Sequence, residues 1–262
     1  MKIVVPAYFG LEHKWTDSDG RPHDCWRSIE EARNKVSIVI PDESFPTLAP
    51  SSLKSAQKQF RRCRGVGQKV LGYVHTREKS GDDKPARRAA TDILKEIDDW
   101  YEAYDGCLDG IFFDEAVYWY DQESATKPND NSAETFFGGL IKQLKEKHQG
   151  ATSVLIAGQT VSEWTVQHSD YVVMWEEKYD VYLNKYCAIN KEDAPVSIPS
   201  WWKNSKYRDQ IVHLVWNTCS VDDMNNAIDC ARNRNAGNVF VLDERKSGYD
   251  HLPPYWEQEL NH

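Results

Sequence analysis

The chain has 262 residues, with 32 Lys and Arg against 41 Asp and Glu, for a net charge of −9. That balance excludes the clustered cations a phosphate backbone recruits, so no nucleic-acid partner is expected. No run approaches the roughly eighteen apolar residues of a membrane span, and 10 Trp, 13 Tyr and 8 Phe carry more aromatic surface than a disordered chain tolerates.

Eight apolar, β-branched runs alternate with polar helical stretches. In chain order the runs cover 3–9, 35–40, 69–75, 108–114, 153–159, 171–176, 211–217 and 238–243. Each is nearly continuous rather than alternating, as parallel strands covered on both faces should be. The spacing predicts helices over 52–63, 84–104, 133–148 and 221–233, and a last one including part of 255–260. In the second of these, Ala86, Ala89, Ala90, Ile93, Leu94, Ile97 and Tyr101 fall on one side. Ser220 or Asp222 can cap the helix before Asn233, and Gly237 sits where that helix would stop. The alternation predicts an α/β chain folded as a single (β/α)8 TIM-type barrel, one domain over 1–262, and a monomer. An open doubly wound sheet would announce a Gly-rich phosphate turn. After Phe9 the chain reads Gly10-Leu11-Glu12-His13 instead, and no cofactor is expected.

The cysteines at 25, 63, 107, 187, 219 and 230 form no CxxC pair. They read as reduced thiols without disulfides. Lys2-Ile3-Val4-Val5-Pro6 is too short for the core of a signal peptide and no glycosylation sequon occurs, a cytoplasmic reading from sequence alone. His13, His23 and Cys25 lie near Asp17 and Asp19 in spacing that fits no compact metal site, so no metal is expected and 17–20 reads as a turn.

In such a barrel the active site lies where the strands end. The fourth run ends in Asp114-Glu115 and the sixth in Trp175-Glu176-Glu177. The fifth ends in Gln159-Thr160, the seventh in Trp216-Asn217 and the eighth in Asp243-Glu244, while the first supplies Tyr8 and the third Tyr73, His75 and Thr76. Carboxylates and rings converging on one rim suit a sugar-binding cleft, where rings stack on pyranose faces and carboxylates do acid–base or nucleophilic work. Each feature also has a plain reading: Asp114-Glu115 as a loop opening or cap, His75 and His213 as rim or core histidines, Trp201-Trp202 as a loop anchor. Strand alternation would turn Glu115 away if Asp114 points in, unless the strand end twists.

At these residues the chain resembles the spherulation-specific, spherulin 4-like family. Ile3-Val4-Val5-Pro6-Ala7-Tyr8 is similar to its opening strand, Trp26 to a first-loop tryptophan, and Gly72-Tyr73-Val74-His75-Thr76 to its GYVxT strand. Trp100-Tyr101 with Asp109-Gly110-Ile111-Phe112-Phe113-Asp114-Glu115 resembles its most distinctive block. Trp175-Glu176, Ile211-Val212-His213 and the closing Tyr249-Asp250-His251-Leu252-Pro253-Pro254-Tyr255-Trp256 follow in order. The resemblance implies a (β/α)8 glycoside hydrolase cleaving α-1,4-linked galactosamine or N-acetylgalactosamine polymers such as galactosaminogalactan. It implies Asp114, Glu115 and Glu176 as the catalytic acids, and a family often secreted or at the cell surface. Tyr8, Tyr73, His75, Trp175, Trp216 and Asp243 are the expected substrate contacts. Two loops depart from the pattern: Pro41-Asp42-Glu43-Ser44-Phe45-Pro46 stands where the family has an NPxxGPG-like loop, and Arg77-Glu78-Lys79 where it has Tyr-Gly. The alternatives are a non-catalytic carbohydrate-binding or developmental protein on the same fold, and a hydrolase for another glycan.

Overall fold

The computed structural model describes residues 1–78, 87–116, 132–156, 161–187, 200–244 and 248–262, apart from the side chains of 132–133, 185–187 and 200. Its centre is a closed parallel barrel. The strands are β1 (Lys2–Ala7), β4 (Val36–Pro41), β5 (Lys69–His75), β6 (Gly110–Asp114), β7 (Thr152–Ile156), β8 (Tyr171–Lys178), β9 (Ile211–Trp216) and β10 (Asn238–Val241). Around the ring they run β1-β10-β9-β8-β7-β6-β5-β4, and β4 pairs back onto β1. The strands are buried along nearly their whole length, because side chains of one parity fill the interior while the other parity meets the helices. A short hairpin, β2 (Lys14–Thr16) with β3 (Pro22–Asp24), lies outside the ring. The stretch read as a turn, 17–20, joins its strands, with Asp17 Oδ1 accepting from the backbone N–H of Asp19 and Arg21.

The helices are α1 (Cys25–Glu31), α2 (Pro50–Gly65), α3 (Ala90–Ala103), α4 (Ser132–Lys147), α5 (Glu163–His168), α6 (Tyr179–Cys187), α7 (Val221–Asn233) and α8 (Trp256–Asn261). Among the described residues none is long and apolar enough to cross a membrane. Buried residues recur at helical spacing: Ala56, Phe60 and Cys63 on α2, and Ile93, Ile97 and Trp100 on α3. Ser220 caps α7, its side chain accepting from the N–H of Asp223.

Two local readings change. The helix expected over 84–104 starts only at Ala90, because 87–89 run extended. Arg88 there donates its backbone N–H to Thr76 O at 3.0 Å and its guanidinium to His75 O at 2.8 Å. The end of α7 is turned by Asn235 (φ 62°) rather than by Gly237. Gly237 serves close approach instead, since a Cβ there would lie 2.6 Å from Arg208 O. The fifth run pairs up to Ile156, and Gln159-Thr160 lies outside the described residues. Cys25, Cys63, Cys107 and Cys219 are free thiols.

The seam between the first and last strands is short. β1 pairs β10 only at Lys2↔Asn238 and Ile3↔Val239. Beyond it the N–H of Val241 donates to Glu259 Oε1 of α8 at 2.8 Å, so a side chain replaces the missing strand partner. Glu259 is fully enclosed, and burial pushes its carboxyl up to about 8. The folded chain therefore holds a proton that the unfolded chain releases near the ordinary Glu value, and stability falls as pH rises between those two values. Glu259→Gln keeps the acceptor without the titration. Its thermal midpoint should gain on the parent through that window, by at least about 3 °C at pH 9. A midpoint difference that stays flat from pH 4 to 9 in calorimetry would contradict this.

Candidate active site

The interior parity of the ring carries the polar residues of the mouth. His75 at the end of β5 is in register with Asp114 at the end of β6, and Tyr73 is in register with Phe112 one layer below. The last residues of β8 and β9 pair as Glu176 with Leu214 and Lys178 with Trp216. A register shift between Val173 and Trp175 leaves Met174 as an extra residue, a one-residue bulge that reverses the phase of everything after it. Glu176 consequently shares the inner face with Leu214.

Two carboxylates are held by phenols across this mouth. Tyr73 donates its hydroxyl to Asp114 Oδ2, and Tyr249 donates its hydroxyl to Glu176 Oε1 at 3.1 Å. Tyr8 stands between them, its ring edge-on to Tyr73 at 5.5 Å and to Tyr249 at 5.8 Å. A row of aromatic rings thus links Asp114 to Glu176. The backbone under Tyr73 is fixed by close packing. A Cβ on Gly72 would lie 2.8 Å from the indole of Trp100, and that indole N–H donates to Tyr73 O at 2.7 Å. Burial, reinforced by the charge of Asp114, raises the Tyr73 phenol far above its ordinary value, so it remains a donor.

Asp114 accepts a second bond, from the backbone N–H of Glu115 to Oδ1 at 2.9 Å. Glu115 itself adopts a left-handed backbone (φ 53°), an uncommon conformation for a non-glycine residue. The strand has therefore ended, and alternation no longer turns its side chain away. Although the residue is exposed at the rim, partial burial of its carboxyl and then the neighbouring Asp114 charge raise its pKa, while His75 and Arg77 oppose the rise. His75 lies between two acids, with Nε2 2.7 Å from Glu43 Oε2 and Nδ1 3.4 Å from Asp114 Oδ2. Both loops that depart from the family pattern reach this corner, one through Glu43 and the other through Arg77.

Trp216 is half-buried on the inner face, with Lys178 Nζ 5.3 Å from its ring centroid. One expected contact lies elsewhere. Trp175 is only 2 % exposed and points outward, against Trp202 at 5.4 Å and His213 at 5.9 Å. The bulge at Met174 is the reason, since Trp175 and Glu176 cannot share a face. Asp243 is engaged by the closing segment: its Oδ1 meets His251 Nε2 at 2.9 Å, while His251 Nδ1 meets Asp250 at 2.7 Å. His213 is a core residue, bonded through Nδ1 to the hydroxyl of Tyr182 on α6 at 2.8 Å. Burial, with Arg234 nearby, holds its pKa well below the ordinary value. Trp202 is the loop anchor of the tryptophan pair. Sequence reasoning did not single out Tyr249 or Glu43 as mouth residues. Tyr249 stood in the closing motif, and Glu43 in a loop noted only for its departure. Among the described residues no group of three or more His, Cys, Asp or Glu is arranged to hold a metal ion.

The closed parallel ring with its helices outside is a (β/α)8 barrel, with acids and rings at the strand ends. The chain belongs to the spherulation-specific family 4, whose pattern matches residues 2–262. Among solved structures it is similar to Aspergillus clavatus Sph3 in complex with GalNAc, at 16 % identity and a TM-score of 0.64, covering 99 % of this chain and 96 % of that one. It is also similar to a variant of the glycoside hydrolase domain of PelA from Pseudomonas aeruginosa, at 14 % identity and a TM-score of 0.52, covering 95 % and 96 %. A third likeness is to an endo-β-N-acetylglucosaminidase from Cordyceps militaris, at 12 % identity and a TM-score of 0.53, covering 99 % and 90 %. No curated protein matches by sequence. At such identities these structures establish the shared (β/α)8 barrel fold.

The contacts at Asp114 yield a local test. Removing its charge as Asp114→Asn takes away the like-charge contribution at Glu115, whose carboxyl should then titrate closer to the ordinary Glu value. Carbon-13 NMR of the Glu115 carboxyl in the two proteins measures this, and an unmoved or higher titration point would show that Asp114 does not act on it.

Proposed function

We propose that the protein is an endo-acting glycoside hydrolase for polymers of α-1,4-linked galactosamine or N-acetylgalactosamine. The observation that carries the reading is the row Asp114–Tyr73–Tyr8–Tyr249–Glu176, two phenol-held carboxylates at the ends of an aromatic floor. Cleavage through an oxocarbenium-like transition state needs a proton donor at the leaving oxygen and a carboxylate toward the anomeric carbon. Strands β6 and β8 have one strand between them, so their ends lie roughly 10 Å apart. Inward-reaching side chains close that gap to the roughly 5–10 Å used by paired glycosidase carboxylates.

In this reading Asp114 works as the anion. It accepts from a phenol and a backbone N–H, which fix its orientation. Glu176 is its working partner from the other side. Glu115, which keeps its proton to higher pH than an isolated Glu, limits the charge gathered at one corner and holds the geometry of the strand end. Tyr73 and Tyr249 are buried and hold the carboxylates, while the partly exposed rings of Tyr8 and Trp216 are the ones that can meet pyranose faces. Family membership and the likeness to a barrel solved with GalNAc support an amino-sugar substrate. The net charge of −9 suits a partly deacetylated, cationic chain.

The test is release of new reducing ends from such a polymer by the parent, Asp114→Asn and Glu176→Gln. Each variant should lose at least about 10³-fold in turnover. The thermal midpoint should stay level or rise, because clustered acids strain the folded state. Near-parental turnover in both variants refutes the assignment. Binding without any parental turnover would mean a carbohydrate-binding protein on a hydrolase barrel.

A further inference from the structure

We propose that a groove beside the mouth is a second saccharide-binding surface, which takes the continuing polymer chain away from the cleaved bond. This deepens the hydrolase reading above and rests on it for the identity of the ligand. The groove has a volume of about 800 Å³ and opens at Tyr8. From there it passes between the loop after β1, at Phe9 to Glu12, and the loop after β4, at Asp42 to Leu48, and continues along α2. Tyr8 belongs to both places. Its ring contacts Tyr73 and Tyr249 on the mouth side, so a chain lying over the carboxylates meets the groove without a gap.

The helix explains the shape. Ala56, Phe60 and Cys63 hold α2 against the barrel, and the neighbouring face carries Ser52, Ser55, Gln59 and Arg62 into the groove at spacings of three and four. From Ser52 to Arg62 the helix rises about 15 Å, a length for an extended chain rather than a cup for one sugar. Serines keep the channel open because their side chains are short, and with the Gln59 amide they offer donors and acceptors matched to sugar hydroxyls. The buried rings of Phe9 and Phe45 supply apolar backing, which the CH faces of a pyranose require. Glu12 and Asp42 line the groove and can accept from an amino-sugar ammonium. Lys58 and Arg62 line it along α2 and can donate to acetamido carbonyls. Continuity with the mouth favours a glycan over a protein partner.

Binding isolates the groove from the chemistry. The hydrolysis-disabled Glu176→Gln chain is titrated calorimetrically with a partly deacetylated α-1,4-linked N-acetylgalactosamine polymer and with the corresponding disaccharide, which fits within the mouth. In that background Ser55→Trp fills the groove from an exposed helix position, and Ser52→Trp does so one turn earlier. Each should weaken the polymer by about tenfold or more, a change of about 1.4 kcal/mol, and leave the disaccharide unmoved. Unchanged polymer affinity in both overturns the groove, as does an equal loss for both ligands. Failure of the unfilled protein to bind the polymer also overturns it. Polymer binding sensitive to these substitutions, combined with no release of reducing ends by the parent, refutes the hydrolase reading and leaves the groove standing.

Discussion

The bulge at Met174 sets the geometry of the mouth. Strand side chains alternate between barrel interior and helix layer, so an extra residue in β8 decides whether Trp175 or Glu176 faces inward. With the shift between Val173 and Trp175, the tryptophan joins His213 in the outer layer and Glu176 joins Leu214 inside. Without it the carboxylate would be turned under α6 toward Trp202, Tyr182 and His213, away from the mouth. The outer cluster and the inner carboxylate are therefore one arrangement: the packing of Trp175 on Trp202 is part of what keeps Glu176 at the mouth.

The barrel's closure places a second constraint on the same region. A parallel ring needs every edge paired, since unpaired backbone groups inside it find no water. Between β1 and β10 the pairing stops after two registered pairs, and side-chain and loop groups complete it. Glu259 takes the Val241 N–H, while the closing segment supplies the carbonyl of Tyr249 to the N–H of Tyr8 at 3.0 Å. This last bond matters for the site, because it ties together two members of the tyrosine row. The C-terminal segment thus finishes the barrel and also delivers the hydroxyl that holds Glu176.

Electrostatics at the mouth follow from who donates to whom. Four acids, Glu43, Asp114, Glu115 and Glu176, lie on one rim, and a rim of like charges is tolerated only where partners offset it. Tyr73, Tyr249, the Glu115 N–H and His75 supply donors to it. Glu115 meets the constraint differently, by taking up a proton more readily. The phenols offset charge without adding a cation, which leaves the rim acidic toward the solvent. That character is what the proposed amino-sugar substrate would meet.

The sequence by itself determined the barrel and most of its strands, because apolar continuity and its alternation with helical spacing are local properties of the chain. The runs at 69–75 and 211–217 reappear almost to the residue as β5 and β9; Asp114 ends β6, Glu115 follows it, and Glu176 lies two residues before the end of β8. It also singled out Tyr8, Tyr73 and His75, each the polar or aromatic end of an apolar run. Only the tertiary structure decided which neighbour faced the mouth. Trp175 and Glu176 are adjacent in a run whose bulge depends on the register of β9, and register is a relation between strands. Tyr249 and Glu43 were invisible for the same reason, since their roles come from meeting Glu176, 73 residues away, and His75, on the neighbouring strand. Asp243 ended a run as the others did, yet folding brought His251 onto it. Local pattern specifies the elements, whereas contacts between distant segments require closure of the ring.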